Sequence, residues 1–513
     1  MNSHTTAVKG APPFVHENRF DLAIIGGGVN GTAIARDAAG RGYRVALFES
    51  GDLACATSCA STKLIHGGLR YLEYGELRLV KKALAEREVF LKTAPHIVSP
   101  MRFVLPLTDG ARPAWMIRLG LALYDHLARR DVLPDSRRLD LRADAAGAPL
   151  FANMRTGFVY ADARVDDARL VVLQAVDAAR NGAQIFTRTP VRDLTPDGAG
   201  GWDVETETDR RFHARMVVNA AGPWVRRVLE RNGLVEGDTP KIRLVRGSHI
   251  VVPAIYDGDQ AYLLQQPDGR VVFAIPYEGR FTLIGTTDVE HTEGPDVPPA
   301  CTRDEAEYLC DAVNRFFTRQ TLPQMIVWSY SGVRPLFDDG SGRAAAVTRD
   351  YHLYRQSVKN APLLSVYGGK ITTARMLAET VTDDVARTLD AAIGPRPPAW
   401  TAGVPLPGGE LPEGSLYEFT GDLCAMYPWL EAATIERLAR AYGTRALRIL
   451  GGAHHPSDLG RDFGAGLYEA EIAYLCEAEW ARTAEDILWR RTKLGLHAGH
   501  DTRTLLERHL GEA

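Results

Sequence analysis

Cysteine is scarce in this sequence, since only six of its 513 residues are cysteine and they are scattered along the chain. No two of them form a Cys-x-x-Cys pair, which argues against a zinc or iron–sulfur site and favours a reducing compartment. Long apolar runs are also missing, because no uncharged stretch reaches the roughly 18 residues that a transmembrane helix needs. The first 18 residues are polar and lack the apolar core of a signal peptide. We therefore expect a soluble or surface-attached cytoplasmic protein.

An excess of basic residues is absent as well, because the net charge is −4, and we expect no nucleic-acid partner. The composition is that of a globular protein, with 45% hydrophobic and 24% charged residues. It excludes a disordered, collagen-like or disulfide-scaffold chain. At about 150 residues per domain, the length indicates about three domains.

A glycine-rich turn near the amino terminus is typical of dinucleotide-binding proteins. An apolar strand over residues 20–25 leads into G-x-G-x-x-G at Gly26, Gly28 and Gly31, a helix follows, and a second strand ends in Glu49. The glycines allow a tight turn, close approach of a pyrophosphate, and close packing of helix and strand. A carboxylate at the second strand end accepts hydrogen bonds from ribose hydroxyls. The spacing predicts a bound dinucleotide.

Two later segments favour FAD over NAD. Residues 217–224 and 363–373 each read as a strand that runs into a turn of small residues. The small residues at these turns are Ala220, Gly222, Gly368 and Gly369. Thr372 or Thr373 is placed to cap the helix that follows the second turn, whose amino terminus would face the flavin. Three such segments predict one FAD-binding domain assembled from distant parts of the chain.

Residues 52–72 closely resemble the signature of the FAD-dependent, quinone-linked glycerol-3-phosphate dehydrogenases. The resemblance continues through residues 84–88, 112–117, 165–170, 246–253, 284–288, 330–335, 348–350 and 482–494, and it covers roughly residues 19–497. Cys59 and Thr62 stand where the family is expected to have serine, and Cys59 thereby loses a hydroxyl near the flavin.

The resemblance implies an α/β protein, α+β overall, with a discontinuous FAD-binding Rossmann-like domain, an antiparallel-sheet substrate cap and a C-terminal helical domain. We predict a tail over 1–18, the FAD-binding domain over 19–90, 155–235 and 330–395, the cap over 91–154 and 236–329, and the helical domain over 400–513.

The implied substrate is sn-glycerol 3-phosphate, oxidised at C2 to dihydroxyacetone phosphate with the hydride passing to flavin N5. A phosphate dianion favours the fork geometry of arginine, which points to Arg70, Arg334 and Arg349, with Tyr71 beside Arg70. Arg334 is expected to pair with the phosphate or to polarise the C2 oxygen. The predicted catalytic residues are His249, Arg334 and Lys370.

His249 is predicted to accept the proton of the C2 hydroxyl, because it is the near-neutral titrating side chain of the matched segments. His66 is the alternative, although its place beside a glycine turn suggests packing on the flavin. Lys370 supplies a fixed cation for the negative charge that reduction places on flavin N1 and O2.

The segment after the second strand carries further candidates for cofactor binding. They are Thr57, Ser58, Ser61, His66, Gly67 and Gly68. The three hydroxyls suit hydrogen bonds to the pyrophosphate or the flavin edge, and they suit equally a turn closed by their own side chains. That choice stays open.

Residues 112–130 combine a heavy apolar content with several arginines, and Trp115 and Ile117 are the expected membrane-contacting side chains. A helix packed into the cap core is the alternative. The resemblance favours peripheral attachment to the cytoplasmic face of the inner membrane, with lipid and quinone as partners. A glycerol-3-phosphate oxidase, an amine or amino-acid oxidase and a flavin-bearing redox sensor are the competing functions, and a homodimer stays open.

Overall fold

The computed structural model describes residues 18–108, 112–338 and 350–511. Its strands are β1 Arg19–Ile25, β2 Val45–Phe48, β3 Leu64–Ile65, β4 Val98–Pro106, β5 Arg137–Asp140, β6 Thr156–Val165, β7 Gln184–Phe186, β8 Val191–Pro196, β9 Trp202–Thr206, β10 Arg211–Asn219, β11 Ile242–Pro253, β12 Ala261–Gln265, β13 Val271–Tyr277, β14 Phe281–Gly285, β15 Val289–Glu290, β16 Trp328–Phe337, β17 His352–Val358 and β18 Ala361–Tyr367. Its α-helices are α1 Val29–Gly40, α2 Leu77–Thr93, α3 Ala114–His126, α4 Asp167–Arg180, α5 Val225–Arg231, α6 Arg303–Asn314, α7 Ala374–Ile393, α8 Leu416–Met426, α9 Ala432–Tyr442, α10 Ala446–Leu450, α11 Glu469–Glu479 and α12 His500–Leu510.

Sheet 1 has the strand order β17-β18-β10-β1-β2-β7, with β9 and β8 added at β10. Neighbours in this order pair in parallel except for the edge strand β17, which is antiparallel to β18. Both β1 and β18 pair in parallel with β10. The three predicted strand-to-glycine segments are therefore neighbours, and their carboxyl ends meet at one edge of the sheet. This confirms the predicted Rossmann-like domain assembled from distant segments.

Helices α1, α4 and α7 cover one face of sheet 1 and bury an apolar core against it. The apolar residues of β1 alternate between this core, which takes Leu22 and Ile24, and a second core on the other face, which takes Ala23 and Ile25, as expected for a parallel sheet covered on both sides. Helix α4 begins where the Asp166 carboxylate accepts a hydrogen bond from the Arg169 N–H, 3.1 Å away. This cap fixes the start of α4, and Asp167 becomes its first residue.

Sheet 2 has the order β15-β11-β14-β13-β12-β4-β6-β3, with β16 paired to β11 and β5 paired to β6. Its pairs are antiparallel except for β4 with β12, in accord with the predicted antiparallel cap. Strands β3 and β6, and β16 from residue 330 onward, lie in ranges predicted for the FAD-binding domain. The predicted divisions near residues 155 and 330 thus differ from the strand pairing, because β6 and β16 pair along their full lengths with β4 and β11.

Helices α8–α12 form a carboxyl-terminal domain around an apolar core of its own. A π-helical turn over Asp486–Arg491 carries two arginines toward sheet 1, and both bind the Asp52 carboxylate at 2.7 Å. Arg169 of α4 and Glu479 of α11 pair across the same boundary with no exposed side-chain surface. Ion pairs this deeply buried are costly to break, so they hold the domain against the rest of the molecule.

Candidate functional site

A groove of about 560 Å³ runs along the carboxyl edge of sheet 1. Predicted cofactor residues line it, and these are Gly26, Gly28, Glu49, Thr57, Ser58, Ala220, Gly222, Gly368 and Gly369. The amino terminus of α1 opens onto this groove at Val29, whose N–H donates to the Ser58 hydroxyl at 2.9 Å. A groove at the carboxyl ends of parallel strands is where α/β proteins bind dinucleotides.

The glycines of the first turn are required by close approaches of the backbone. A Cβ on Gly31 would stand 1.9 Å from the carbonyl oxygen of Gly26, so helix and strand can pack only with glycine there. Gly26 itself has φ +112°, in the region that favours glycine. Among the described atoms, none lies within 4 Å of a Cβ placed on Gly222, so the groove wall is open at that point.

Polar groups in the groove suit a ligand with ribose and phosphate oxygens. The Glu49 carboxylate accepts hydrogen bonds from the N–H groups of Gly27 and Gly51 at 2.6 and 2.7 Å. The Asn30 amide donates to the Gly368 carbonyl at 3.1 Å, which ties α1 to the third glycine turn. Within the described part of the chain its Oδ1 is buried and has no hydrogen-bond partner. A dinucleotide therefore fits this groove.

A second set of predicted residues lies on sheet 2, on the strand pair β11–β16. His249 is directly opposite Tyr330, and Arg334 is opposite Val245, so the histidine and the arginine share one face. Between them Gly247 is opposite Gly332. A Cβ on Gly247 would lie 2.4 Å from Arg334 Nη2, so the guanidinium crosses this glycine toward His249.

The imidazole of His249 is 2% exposed and stacks on the Tyr330 ring with centroids 4.8 Å apart. Its Nε2 lies 3.0 Å from the Thr62 hydroxyl, and its Nδ1 has no hydrogen-bond partner among the residues that the structure describes. Burial lowers the pKa of His249 well below its usual value, and the cations of Lys63 and Arg334 lower it further. The histidine is therefore a neutral base at pH 7.

Arg334 is held on two sides and keeps part of its side chain accessible. Its Nη1 pairs with Asp288 at 2.7 Å, and its Nη2 donates to the Thr287 carbonyl at 2.9 Å. About a quarter of the side chain, 27%, remains exposed. A guanidinium fixed in this way presents an oriented cation to an anionic substrate.

The other predicted substrate residues lie near the turn after Gly68. The Lys370 ammonium stands 3.9 Å from the centre of the Tyr71 ring, so these two predicted residues meet. Arg70 lies half-buried in the same short helical turn, residues 69–74. Arg349 lies outside the described residues.

Several predicted cofactor residues do not line the groove. Ser61 donates its hydroxyl hydrogen bond to Asp167 at 2.7 Å, and His66 packs edge-on against Phe273. The Gly67 N–H donates to the Tyr124 hydroxyl at 2.8 Å. Gly68 has φ +76° and precedes the turn that carries Arg70.

The predicted cap of the helix after Gly369 is wrong. Helix α7 begins at Ala374, and Thr373 makes no side-chain capping hydrogen bond in the described structure. Thr372 lies inside the preceding 3₁₀ turn and is 2% exposed. The extra 3₁₀ turn moves the helix start past both threonines, which the sequence pattern did not reveal.

Sequence reasoning missed Thr62 as a site residue and treated it only as a departure from the family pattern. It also missed Asn30, which occupies a variable position of the glycine motif, and Asp288, the partner of Arg334. Each contact joins residues far apart in the chain, as Thr62 and His249 are 187 positions apart. Proximity to the predicted Gly67–Gly68 turn was the only sequence signal for Thr62.

Comparison with known proteins identifies the groove. The model of the family described as "FAD dependent oxidoreductase" matches residues 21–383. The chain belongs to this family. Its cofactor is FAD, as predicted, and the groove with its glycine edges is the part of the chain that fits it. A second model, the "C-terminal domain of alpha-glycerophosphate oxidase", matches residues 399–511.

Curated relatives cover almost the whole chain. A D-erythritol 1-phosphate dehydrogenase of Brucella abortus is 50% identical over 93% of this chain and 95% of its own length. A glycerol-3-phosphate dehydrogenase of Pseudomonas aeruginosa is 50% identical over 96% of this chain and 95% of its own. The crystal structure of a glycerol-3-phosphate dehydrogenase from Bacillus halodurans complexed with FAD matches with TM-score 0.73 and 27% identity, over 97% of this chain and 89% of that one.

Replacement of Gly31 by alanine should strip FAD from the protein. The added Cβ would stand 1.9 Å from the Gly26 oxygen, so α1 must move away from the turn that approaches the pyrophosphate. We expect FAD per chain, measured from the absorbance of the acid-released flavin, to fall well below that of the wild type. The control is Gly421→Ala in α8, where no described atom lies within 4 Å of the new Cβ. Equal FAD content in the two variants would contradict the close approach.

Proposed function

We propose that the chain oxidises sn-glycerol 3-phosphate at C2 to dihydroxyacetone phosphate. The observation that carries this proposal is a buried neutral histidine beside an oriented arginine on one face of β11–β16, in a chain whose curated relatives act on polyol phosphates by name. FAD, when bound, accepts the C2 hydride at N5. The protein's part is to bind the phosphate, orient C2 and take the hydroxyl proton.

The proton acceptor is His249 at Nδ1. In the tautomer that we propose, Nε2–H donates to the Thr62 hydroxyl, which leaves the Nδ1 lone pair to accept the proton of the C2 hydroxyl. Stacking on Tyr330 fixes the plane of the imidazole. A base held in one orientation and kept neutral by burial is ready before the substrate arrives.

Five side chains are proposed to receive the negative charges of the reaction. Arg334 binds the phosphate or polarises the C2 oxygen, and Arg70, Tyr71 and Arg349 complete the phosphate site. Arginines suit a dianion, whereas the carboxylate of an amino acid needs a single guanidinium. Lys370 follows the Gly368–Gly369 turn that lines the groove, and its charge stabilises the reduced cofactor.

A four-carbon polyol phosphate is the second candidate substrate. The relative from Brucella abortus is named a D-erythritol 1-phosphate dehydrogenase and is as similar to this chain as the glycerol-3-phosphate dehydrogenase from Pseudomonas aeruginosa. The same proton and hydride chemistry applies to both, because each substrate carries a secondary alcohol near a phosphate.

Anaerobic mixing of the holoenzyme with glycerol 3-phosphate tests the reaction. We expect the oxidised-flavin absorbance to disappear with formation of one dihydroxyacetone phosphate per flavin. Parallel samples receive erythritol 1-phosphate, glycine or buffer. Faster bleaching by erythritol 1-phosphate would assign the four-carbon substrate, and bleaching by glycine alone would assign an amino-acid oxidase. A flavin that stays oxidised in every sample would overturn the enzymatic proposal in favour of a redox sensor.

Membrane quinone is the proposed electron acceptor, with the protein attached peripherally to the cytoplasmic face of the inner membrane. Within the described ranges, no helix combines the length and apolar character needed to cross a bilayer. Support for attachment comes from α3, where Trp115 and Leu119 are 66% and 64% exposed, and Met116 and Leu123 are exposed beside them. Apolar side chains on one face of a helix, with Arg118 exposed between them, suit an anionic lipid surface.

The expectation for Ile117 is wrong, because this side chain is 7% exposed and packs with Leu121 and Tyr124 in the core of sheet 2. The cap-core interpretation thus holds for the face of α3 that carries Ile117, and the membrane proposal concerns the exposed face. One face anchors it in the cap, and the other faces outward.

Replacement of Trp115 and Leu119 together by glutamate should release the protein from membranes. Loss of two apolar side chains from the interface costs about 3 kcal/mol or more, which is a partition change of about a hundredfold. We expect the variant in the soluble fraction after sedimentation with lipid vesicles, with unchanged FAD content and dye-coupled activity.

The control is Tyr417→Glu, because Tyr417 is 89% exposed on α8 and lies in another domain. Equal sedimentation of the double variant and the wild type would remove α3 from the attachment. Stoichiometric hydrogen peroxide in air without quinone reduction would assign an oxidase.

A further inference from the structure

A row of four aromatic rings connects the carboxyl-terminal domain to the proposed base. Trp489 stacks on Trp328 with ring centres 4.3 Å apart, and Trp328 contacts Tyr330 at 4.9 Å. Tyr330 stacks on His249 at 4.8 Å with the ring planes 13° apart. Protein interiors are close-packed, so a shift of the first ring changes the space that is left for the last.

Local structure in the carboxyl-terminal domain fixes the first ring. Trp489 belongs to the π-helical turn, and its neighbours Arg490 and Arg491 bind Asp52 at 2.7 Å. A Cβ on Gly495 would lie 2.4 Å from the indole, so glycine is what leaves room for this ring. Insertions that widen a helical turn are frequent at functional sites, where they redirect side chains.

A second contact from the carboxyl-terminal domain supports the segment that carries the hydrogen-bond partner of His249. The Lys493 ammonium lies 3.8 Å from the carboxylate of Asp167, which has no exposed surface. Asp167 accepts hydrogen bonds from the Ser61 hydroxyl at 2.7 Å and from the Lys63 ammonium at 2.9 Å. The segment from Ser61 to Lys63 is thereby fixed at both ends.

Thr62 is the residue so held, and its hydroxyl is the partner of His249 Nε2 at 3.0 Å. The Tyr330 hydroxyl donates to the Ser61 carbonyl at 2.8 Å, which joins the ring row to the same segment. The imidazole is thus confined by its ring neighbour and by its hydrogen-bond partner, and both are supported by the carboxyl-terminal domain.

We propose that the carboxyl-terminal domain is a positioning element for His249, and that Trp489 is the positioning residue through which it acts. This rests on His249 being the proton acceptor of the proposed function. Trp489 is not among the residues that line the groove of sheet 1. It stacks on Trp328, Trp328 contacts Tyr330, and Tyr330 in turn fixes the plane of the imidazole.

Replacement of Trp489 by leucine in the full-length holoenzyme tests the proposal. Flavin reduction at saturating glycerol 3-phosphate should slow by about 10-fold to 100-fold, as expected for a misplaced catalytic group. The half-saturating concentration should change little, because the arginines stay in place. Trp489→Phe keeps a ring at this position and should recover most of the rate. Hydrogen–deuterium exchange of the β16 backbone amides should be faster in Trp489→Leu than in the wild type, both with and without bound flavin.

Trp429→Leu is the matched control, because it removes the same ring type from the core of the same domain, where Trp429 meets Tyr427 with ring centres 6.0 Å apart. It should lower the thermal midpoint and leave the reduction rate unchanged. A Trp489→Leu variant that reduces flavin at the wild-type rate would overturn the proposal, as would an equal rate loss in Trp429→Leu or in Trp489→Phe. If glycerol 3-phosphate does not reduce the flavin of the wild type, the result counts against the proposed function. Unchanged exchange of the β16 amides in Trp489→Leu would count against the positioning role alone.

Discussion

Replacement of His249 by asparagine should slow flavin reduction by glycerol 3-phosphate by about 10²–10⁴-fold, the usual contribution of a positioned general base. The asparagine amide ends near the position of Nδ1, and it cannot accept a proton at neutral pH. FAD content should stay at the wild-type level, because His249 does not line the groove of sheet 1. Stopped-flow measurement of the flavin absorbance under anaerobic conditions gives the rate.

The control is His213→Gln, because His213 lies on β10 and pairs with Asp203 at 3.4 Å, away from the β11–β16 face. It should reduce flavin at the wild-type rate. Rapid reduction of the His249 variant would remove this residue as the base and leave His66 as the candidate.

The lowered pKa of His249 predicts the pH range in which the rate of flavin reduction falls in acid. The pKa of His249 is lowered by burial and then by Lys63 and Arg334, so the imidazole stays neutral below the usual value of 6.5. The reduction rate at saturating substrate should therefore be level through pH 6.5 and fall only at lower pH. An acid limb centred at or above pH 6.5 would show that the titrating base is not this buried histidine.

Replacement of Arg334 by methionine should lower kcat/KM for glycerol 3-phosphate by about a hundredfold or more. Charge-assisted hydrogen bonds contribute about 1.5–3 kcal/mol each, and a guanidinium fork makes two of them. If Arg334 binds the phosphate, its loss should raise KM. If Arg334 polarises the C2 oxygen, its loss should lower kcat. Steady-state kinetics with a dye acceptor distinguishes these two roles.

Arg334→Lys keeps the charge without the fork and should recover part of the loss. Arg303→Ala is the control, since this arginine is 89% exposed on α6 and pairs only with Glu307 among the described residues. Kinetics of Arg334→Met equal to those of the control would place Arg334 outside the substrate site.

Local patterns were enough to predict the parallel strands β1, β2, β10 and β18 of sheet 1. The apolar run before Gly26 forms β1, and the segments ending at Ala220 and Gly368 form β10 and β18 beside it. Each prediction needed only a short apolar run and a glycine turn, which act within about ten residues. The histidine and arginine of β11–β16 were predicted from the resemblance, and their shared face appears only when the strands pair.

The contacts that surround the site depend on tertiary structure, and the sequence carries little signal for them. Strand β16 could have joined either sheet, because its apolar pattern does not specify a partner. The ring row brings together residues 249, 328, 330 and 489, and no local pattern links a tryptophan in the last domain to a histidine in the cap. The 3₁₀ turn before α7 likewise contacts the distant helix α2, while α7 itself packs on α1.

The strand order of sheet 1 also has a consequence for synthesis on the ribosome. Strand β1 pairs with β2 at one edge, but its other neighbour, β10, ends about 190 residues later at Asn219. At 5–20 residues per second, the nascent chain leaves that edge of β1 unpaired for roughly 10–40 s. An unpaired apolar strand is prone to join other chains. We expect the emerging amino-terminal segment to need a chaperone until β10 leaves the exit tunnel.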